Sequence, residues 1–383
     1  MEAAGTLSDV LPSVLASLVP GVATHRYARR RLLPLPRARR AIVVLVDALG
    51  DRLVRRRIGH APALRAALPT AYRLDSGFPS TTATSMGSFG TGLPPGAHGL
   101  VGYEVLVPEV DGILNELSWR IGDAAGPDPR RWQPEPTVFE AAEAEDVRVT
   151  RIGPGFFDGS GLTNAALRGG RFRAAADLAG RVDASLEAVQ AAPQALVYLY
   201  WGDVDRIGHE HGVDSWQWTA ELERVDAELG RLVASVPDDT AVYVTADHGM
   251  VDIPYADRVD LAREPTLLDG VRHVGGEPRS VQLYCRPGAV DDVVQTWRAR
   301  LGDTVRIWRR DEATAAGLFG DPSLVQERSV PRIGDVVVGC LGSVAVVDSV
   351  RMRPEALALI GQHGSVTEDE RAIPLFHWAA RSA

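Results

Sequence analysis

Three stretches of the chain are unbroken apolar runs that end in acids and glycines: AIVVLVDALG from Ala41 to Gly50, ALVYLYWGDVDRIGHEHG from Ala195 to Gly212, and TAVYVTADHGM from Thr240 to Met250. Runs with no polar alternation suit strands buried on both faces of a parallel sheet. Open sheets of that kind bind ligands beyond the carboxyl ends of their strands. The three runs therefore deliver Asp47, the pair Asp205 and His209, and the adjacent Asp247 and His248 to one edge of one sheet. Amphipathic helices lie between them. Leu222, Val225, Leu229, Leu232 and Val233 share one face of a helix predicted over 216–236, a second is expected at about 173–191, and a third follows the Pro134 to Thr137 start. This strand-helix alternation predicts an α/β fold, a doubly wound sheet flanked by helices.

The rest of the chain divides around that body. Residues 1–254 are expected to hold the main α/β metal-binding body, 255–345 a smaller α+β insertion or cap, and 346–383 a return to the main body that carries His363. The insertion is read from SVQLYCR, VDDVVQTWRARL, TVRIWRR and DEATAAGLF, a strand-helix-strand-helix succession with shorter, more exposed strands. DVVVGCLGSVAVV, Asp335 to Val347, then returns to or borders the main body. Residues 1 to about 24 read as a short helix and a turn, and RYARRRLLPLPRARR, 26–40, as a basic surface segment.

Composition narrows the function. A net charge of −9 argues against coating nucleic acid, which needs a basic excess, and leaves room for a small anionic phosphate ester in a locally positive site. All 41 basic residues are arginine, which excludes lysine-based catalysis. Cys285 and Cys340 are too few for a disulfide framework or a thiolate zinc site. The N-terminus lacks a basic first region and is broken by Pro12 and Pro20, so it does not read as a signal peptide. No run approaches the roughly 20 apolar residues of a membrane span. A cytoplasmic protein without membrane contact is expected, its oligomeric state left open.

The stretch FPSTTATSMGSFGTGLPPGAHGL, Phe78 to Leu100, crowds hydroxyls and glycines around one strand-to-helix corner. A threonine at such a corner becomes a nucleophile only beside a base or a metal ion. The acids and histidines at the strand ends supply the metal. Asp205 and His209, four apart, share one face of a helix. With Asp47, Asp247, His248 and the glycine-flanked His363 they make three carboxylates and three imidazoles, enough for two three-residue sites for zinc or manganese. Each has a structural alternative when taken singly: Asp47 as a helix N-cap, Asp205 paired with Arg206 or Arg224, His209 as a satisfied core histidine, His363 as a turn cap. Their joint occurrence at strand ends favours the metal reading.

VDALG, FPSTTATSMGSFGTGLPPGAHGL, DVDRIGHEHG, TADHGM and HGSVTEDERAIPL together resemble the type I phosphodiesterase/nucleotide pyrophosphatase family of the alkaline phosphatase superfamily, in the family's order from about Ala41 to Phe376. The resemblance implies an alkaline-phosphatase-like fold and two zinc ions, one held by Asp205, His209 and His363, the other by Asp47, Asp247 and His248. It implies Thr82, ten residues before Gly92, as the metal-contacting nucleophile rather than Thr81 or Thr84. The expected activity is hydrolysis of phosphodiester or pyrophosphate bonds of nucleotide-like substrates through a covalent threonine intermediate. Alternatives are a phosphomonoesterase or phosphonate hydrolase of the same superfamily, and a metal-binding protein without turnover.

In one place the chain departs from the family. Where the family has an asparagine that helps hold a phosphate oxygen, HGLVGY places Tyr103, a phenol with a different reach, so the substrate class stays open. His211 and His273 are read as structural or substrate-facing, and His98 as fixing the glycine-rich loop.

Overall fold

The computed structural model describes residues 4–22 and 32–381. Residues 26–31 of the basic segment, and both ends of the first predicted helix and turn, lie outside the described residues. The remainder of that helix runs from Val10 to Leu18.

Seven strands form the central sheet: β1 (Arg40–Val46), β2 (Tyr72–Asp75), β3 (Arg148–Gly153), β4 (Arg171–Ala174), β5 (Ala195–Trp201), β6 (Thr240–Thr245) and β7 (Ala372–Trp378). Their spatial order is β2-β7-β6-β1-β5-β3-β4. Only β7 runs antiparallel to its neighbours. The three apolar runs are the adjacent strands β6, β1 and β5, in register from Arg40 opposite Thr240 and Ala195. With both faces covered by helices, Ala41–Val46 and Ala195–Leu199 are buried along their length.

The helices start where side chains can satisfy their first amides. Ser215 accepts from the Trp218 amide and opens Trp216–Ser235; Thr137 and Glu140 form a reciprocal capping box that opens Val138–Ala144. The helix expected from 173 starts later, at Leu178, behind the N-cap Asp177. Residues 171–174 are instead the edge strand β4, because Gly169 and Gly170, at φ +95 and +71, turn the chain back onto β3.

A second, four-stranded antiparallel sheet orders Val271–Glu277, Ser280–Cys285, Val336–Cys340 and Val305–Arg309, with the helix Val290–Leu301 against it. Of the strands expected to be more exposed, Ser280–Cys285 is buried as an inner strand, beside Val336–Cys340, which borders the main body as expected. The sheet is clamped against the main body: Val336 and Val338 enter its own core with Leu283 and Trp297, while Val337 packs into the main core. Gln282 ties the two together, its Nε2 donating to the Val101 carbonyl at 2.8 Å and its Oε1 accepting from the Gly334 amide at 2.7 Å. A small meander over 104–125 was not anticipated. Its signal was present in the alternation of EVLV and the Asp111-Gly112 turn.

Candidate active site

The ends of β6, β1 and β5 carry the acids. Asp47 follows β1 directly, and Ala48 after it takes a left-handed φ of 57, which turns its amide onto Asp247 Oδ1 at 3.1 Å. Beyond this, the loops after β1 and β6 touch through glycine: a Cβ on Gly50 would lie 2.7 Å from the Gly249 Cα, and one on Gly249 would lie 2.0 Å from the Asp369 carbonyl. Only glycine lets the two acid-bearing loops close together. Past β5 the chain turns into the helix Asp203–His211, so Asp205 and His209 do lie one turn apart, Nε2 to Oδ1 at 3.4 Å.

The three imidazoles are oriented alike. His209 Nδ1 lies 2.7 Å from the Gly361 carbonyl, His363 Nδ1 3.0 Å from the Ser80 carbonyl, and His248 Nδ1 3.1 Å from the Gly249 carbonyl. A carbonyl only accepts, so each Nδ1 carries the proton and each Nε2 presents a lone pair. Those lone pairs face carboxylates. His248 Nε2 is 3.4 Å from Asp47 Oδ1 and 3.5 Å from Asp247 Oδ2, and His363 Nε2 is 3.8 Å from Asp205 Oδ1. The His248 and His363 rings stack at 3.7 Å, with His209 5.2 Å beyond.

The same three carboxylate oxygens, Asp47 Oδ1, Asp205 Oδ1 and Asp247 Oδ2, are buried with no hydrogen-bond donor. Burial, joined by the charges of Asp247 and Asp205, pushes the Asp47 carboxyl well above its ordinary range. Burial, with His248 and His209 beside it, holds His363 well below the usual imidazole range and hence neutral. Acceptors facing acceptors in a dry site is the arrangement a cation resolves. Asp47, Asp247 and His248 form one compact donor group, and Asp205, His248 and His363 another, with His248 common to both. Imidazole with carboxylate suits zinc or manganese. The structural alternatives for Asp47 and Asp205 do not hold: Gly50 caps the helix after β1, Arg206 pairs with Asp203 and Glu210, and Arg224 pairs with Asp203 and Glu221.

Thr82 is the first residue of the helix Thr82–Thr91, after the extended N-cap Thr81. Its Oγ1 lies 3.3 Å from His248 Nε2, and because that nitrogen is a lone pair the hydroxyl is the donor. Its neighbours are engaged elsewhere. Thr81 bonds Glu277, Ser85 donates to the Asp247 carbonyl at 2.8 Å, and Thr84 is fully buried. Ser80 makes an isolated bridge with Gly364 and so joins the segment before Thr82 to His363.

Two residues were missed in the sequence. Tyr200 donates to Asp47 Oδ2 and fixes that carboxylate; its position in the run ALVYLYW, just before an acid, was a usable signal. Glu277 comes from the second sheet to stand 3.6 Å from His363 Nδ1, with only 7% of its side chain exposed. Nothing in HVGGEPR marked it. Tyr103 is half-buried at the entrance to the meander, its phenol bonded to Asn115 and within the field of Glu277, and burial raises its pKa. His98 packs against Gly87 between Ser88 and the Leu100 amide, His273 pairs with Asp111, and His211 is exposed at the end of its helix.

A cavity of about 520 Å³ opens beside Asp47, Thr82 and Asp205 and is walled mainly by Met86, Phe156, Phe157, Leu162 and Phe172.

The family model for type I phosphodiesterase / nucleotide pyrophosphatase matches residues 41–366. The chain belongs to this family. Murine ectonucleotide pyrophosphatase / phosphodiesterase 5 has a similar structure, with a TM-score of 0.68 at 16% identity and 89% of each chain covered; an inactive threonine-to-alanine variant of it was solved in complex with AMP. Phosphonoacetate hydrolase from Sinorhizobium meliloti, in complex with phosphonoacetate, matches with a TM-score of 0.67 at 20% identity over 90% of this chain and 91% of that one. Among curated proteins, alkaline phosphatase PhoK of a Sphingomonas species is 23% identical over 237 residues, 51% of this chain and 41% of that protein. The chain thus spans less than half the length of that relative. These likenesses place the fold in the alkaline phosphatase superfamily. No described helix is long and apolar enough to cross a membrane.

Proposed function

We propose that the protein is a two-metal hydrolase that cleaves phosphodiester or pyrophosphate bonds of nucleotide-like substrates, with Thr82 as nucleophile. The observation that carries this reading is the convergence of three donorless buried carboxylate oxygens and three imidazole lone pairs beside one threonine hydroxyl. Asp205, His209 and His363 would hold one divalent cation and Asp47, Asp247 and His248 the other, zinc or manganese by donor chemistry. Bound there, such ions supply Lewis acidity, neutralising a phosphoryl group and lowering the pKa of a coordinated hydroxyl.

The chain's own residues do the rest. Thr82 Oγ1 would lose its proton to solvent and attack phosphorus, breaking the bond to the leaving oxygen and forming a phosphothreonine ester; water would then attack that ester, the Thr82 oxygen leaving and taking back a proton, and the phosphate product carrying the water's oxygen. The helix behind Thr82 directs its free N-terminal amides toward the negative charge. Carbonyls of Ser80, Gly249 and Gly361 keep the imidazoles in the required tautomer, and Tyr200 holds Asp47. In this reading Tyr103 turns its hydroxyl from Asn115 to a phosphate oxygen.

Tyr103 in place of an amide also favours a second reading, a monoesterase or phosphonate hydrolase working with the same Thr82. Release of 4-nitrophenol from bis(4-nitrophenyl) phosphate, compared with 4-nitrophenyl phosphate, tests both. The first reading expects diester turnover in excess of monoester, abolished by chelator and restored by zinc or manganese. Monoester preference selects the second reading, and metal-loaded protein inert toward both refutes the hydrolase.

A further inference from the structure

Five described arginines are buried: Arg151, Arg168, Arg181, Arg279 and Arg332. Four have protein acceptors. Arg279 pairs with Glu370, Arg168 with Glu140 and several carbonyls, Arg181 with the carbonyls of Ala175, Ala176 and Tyr200, and Arg332 with those of Gly99 and Trp132. Arg151 is different. It is 9% exposed, its Nε is enclosed without an acceptor, and no described carboxylate lies within ion-pair distance. Its guanidinium sits 5.7 Å from the Phe172 ring, and both residues line the cavity that opens on Thr82. Asp158 and Glu143 act on it only through space, and burial lowers its pKa without deprotonating it.

A buried guanidinium with no protein acceptor is costly unless something else supplies the oxygens. The sheet fixes where that partner would sit. Arg151 on β3 is in register with Tyr198 on β5, two residues before Tyr200, whose hydroxyl holds Asp47. Strand spacing and rise put the Cα atoms of Arg151 and Tyr200 on the order of 8 Å apart. Between the cation and the reacting centre the walls are apolar and aromatic, Phe156, Phe157 and Phe172 among them. Such a slot fits a flat apolar spacer with charge at both ends.

We propose that the cavity receives the organic arm of the substrate and that Arg151 binds an oxyanion, a carboxylate or a second phosphate, carried about one ring away from the reacting phosphorus. This rests on the hydrolase reading for the placement of the phosphoryl end. Arg151 is then a specificity-determining residue, with no part in bond breaking. Its fork of donors gives an oxyanion charge-assisted bonds beside an apolar wall, where they are stronger than in open water.

The test is binding, without turnover. Zinc-loaded protein is titrated calorimetrically with 4-(phosphonomethyl)benzoate, its benzamide analogue, and 1,4-xylylene diphosphonate. The parent is expected to bind at least one dianionic-ended probe about tenfold or more tighter than the benzamide, with the benzoate ahead if the natural group is a carboxylate and the diphosphonate ahead if it is a phosphate. Arg151→Met should level all three near the benzamide affinity, and Arg151→Lys should retain part of the preference. A parent that binds the benzamide as well as the others, or binds none of them, overturns the proposal, as does a preference that survives in a folded Arg151→Met. Parent and Arg151→Lys decide the matter if Arg151→Met does not fold. The hydrolase reading fails separately, through absent nitrophenol release while the end-group preference persists.

Discussion

Thr82 Oγ1 lies 3.3 Å from His248 Nε2, and His248 is the one residue that belongs to both donor groups at the sheet edge. The proposed nucleophile therefore touches the residue that joins the two donor groups. His248 is fully buried and locked by the Gly249 carbonyl, so it cannot swing from one group to the other.

Metal content should follow the two proposed ligand sets. The parent is expected to hold close to two transition-metal ions per chain by elemental analysis. Asp247→Asn and His248→Ala should each lose the same ion, and His209→Ala the other. Free metal at about 100 times its dissociation constant should stabilise the fold by about 2.7 kcal/mol per bound ion, lost on chelation. A parent that neither carries nor takes up metal contradicts the site.

Tyr200→Phe isolates the support of one ligand. The phenol donates to Asp47 and lies under the site, so its removal frees the carboxylate without emptying the core. Metal affinity should weaken about 10–100-fold with little change in melting temperature. Unchanged affinity would mean Asp47 is positioned by Asp247 and the backbone alone.

Tyr103→Phe should slow turnover while metal content stays constant. A full oxyanion donor is worth about 10²–10³ in rate, and a phenol shared with Asn115 should give less. Turnover equal to the parent removes Tyr103 from the phosphate contacts.

Stability should carry the signature of Glu116. Its carboxyl is buried, accepts from Trp132 Nε1 at 2.7 Å, and has its pKa pushed up to about 8 by burial. The folded state thus holds this proton more tightly than the unfolded chain does. The contribution is full below the unfolded value of 4.5 and is lost as pH rises through about 8. Denaturant unfolding should therefore show parent stability falling over that interval, and Glu116→Gln should flatten the fall. An unaltered slope in the variant contradicts the assignment.

Much of this was legible in the chain because burial on two faces writes itself as unbroken apolar sequence. β1, β5 and β6 are read directly from such runs, and the acids at their ends fall where open sheets place ligands. The edge strand β4, only four residues and mostly exposed, has no such pattern and was absorbed into the helix that follows it. The buried strand Ser280–Cys285 reads as more exposed because its other face is covered by contacts distant in sequence, such as Gln282 with Val101. At the candidate site, the acids and histidines that converge are readable in the chain, but their orientation is not. The carbonyls of Ser80, Gly249 and Gly361 that set the imidazoles leave no trace in side-chain chemistry, and Glu277 arrives from another sheet.

The hydroxyl that reacts is the centre of the account, and a trapped intermediate tests it most directly. Thr81 is bonded to Glu277, Ser85 to the Asp247 carbonyl, and Thr84 is sealed in the helix, which leaves Thr82 facing the donor groups. Thr82→Ala should abolish turnover with metal still bound, and Thr82→Ser should keep partial activity. Metal-loaded protein mixed with bis(4-nitrophenyl) phosphate, quenched in acid within milliseconds and digested for mass spectrometry, should yield a peptide esterified at Thr82. Modification at Thr81, Thr84 or Ser85, or a Thr82→Ala protein that turns over at the parent rate, would contradict it.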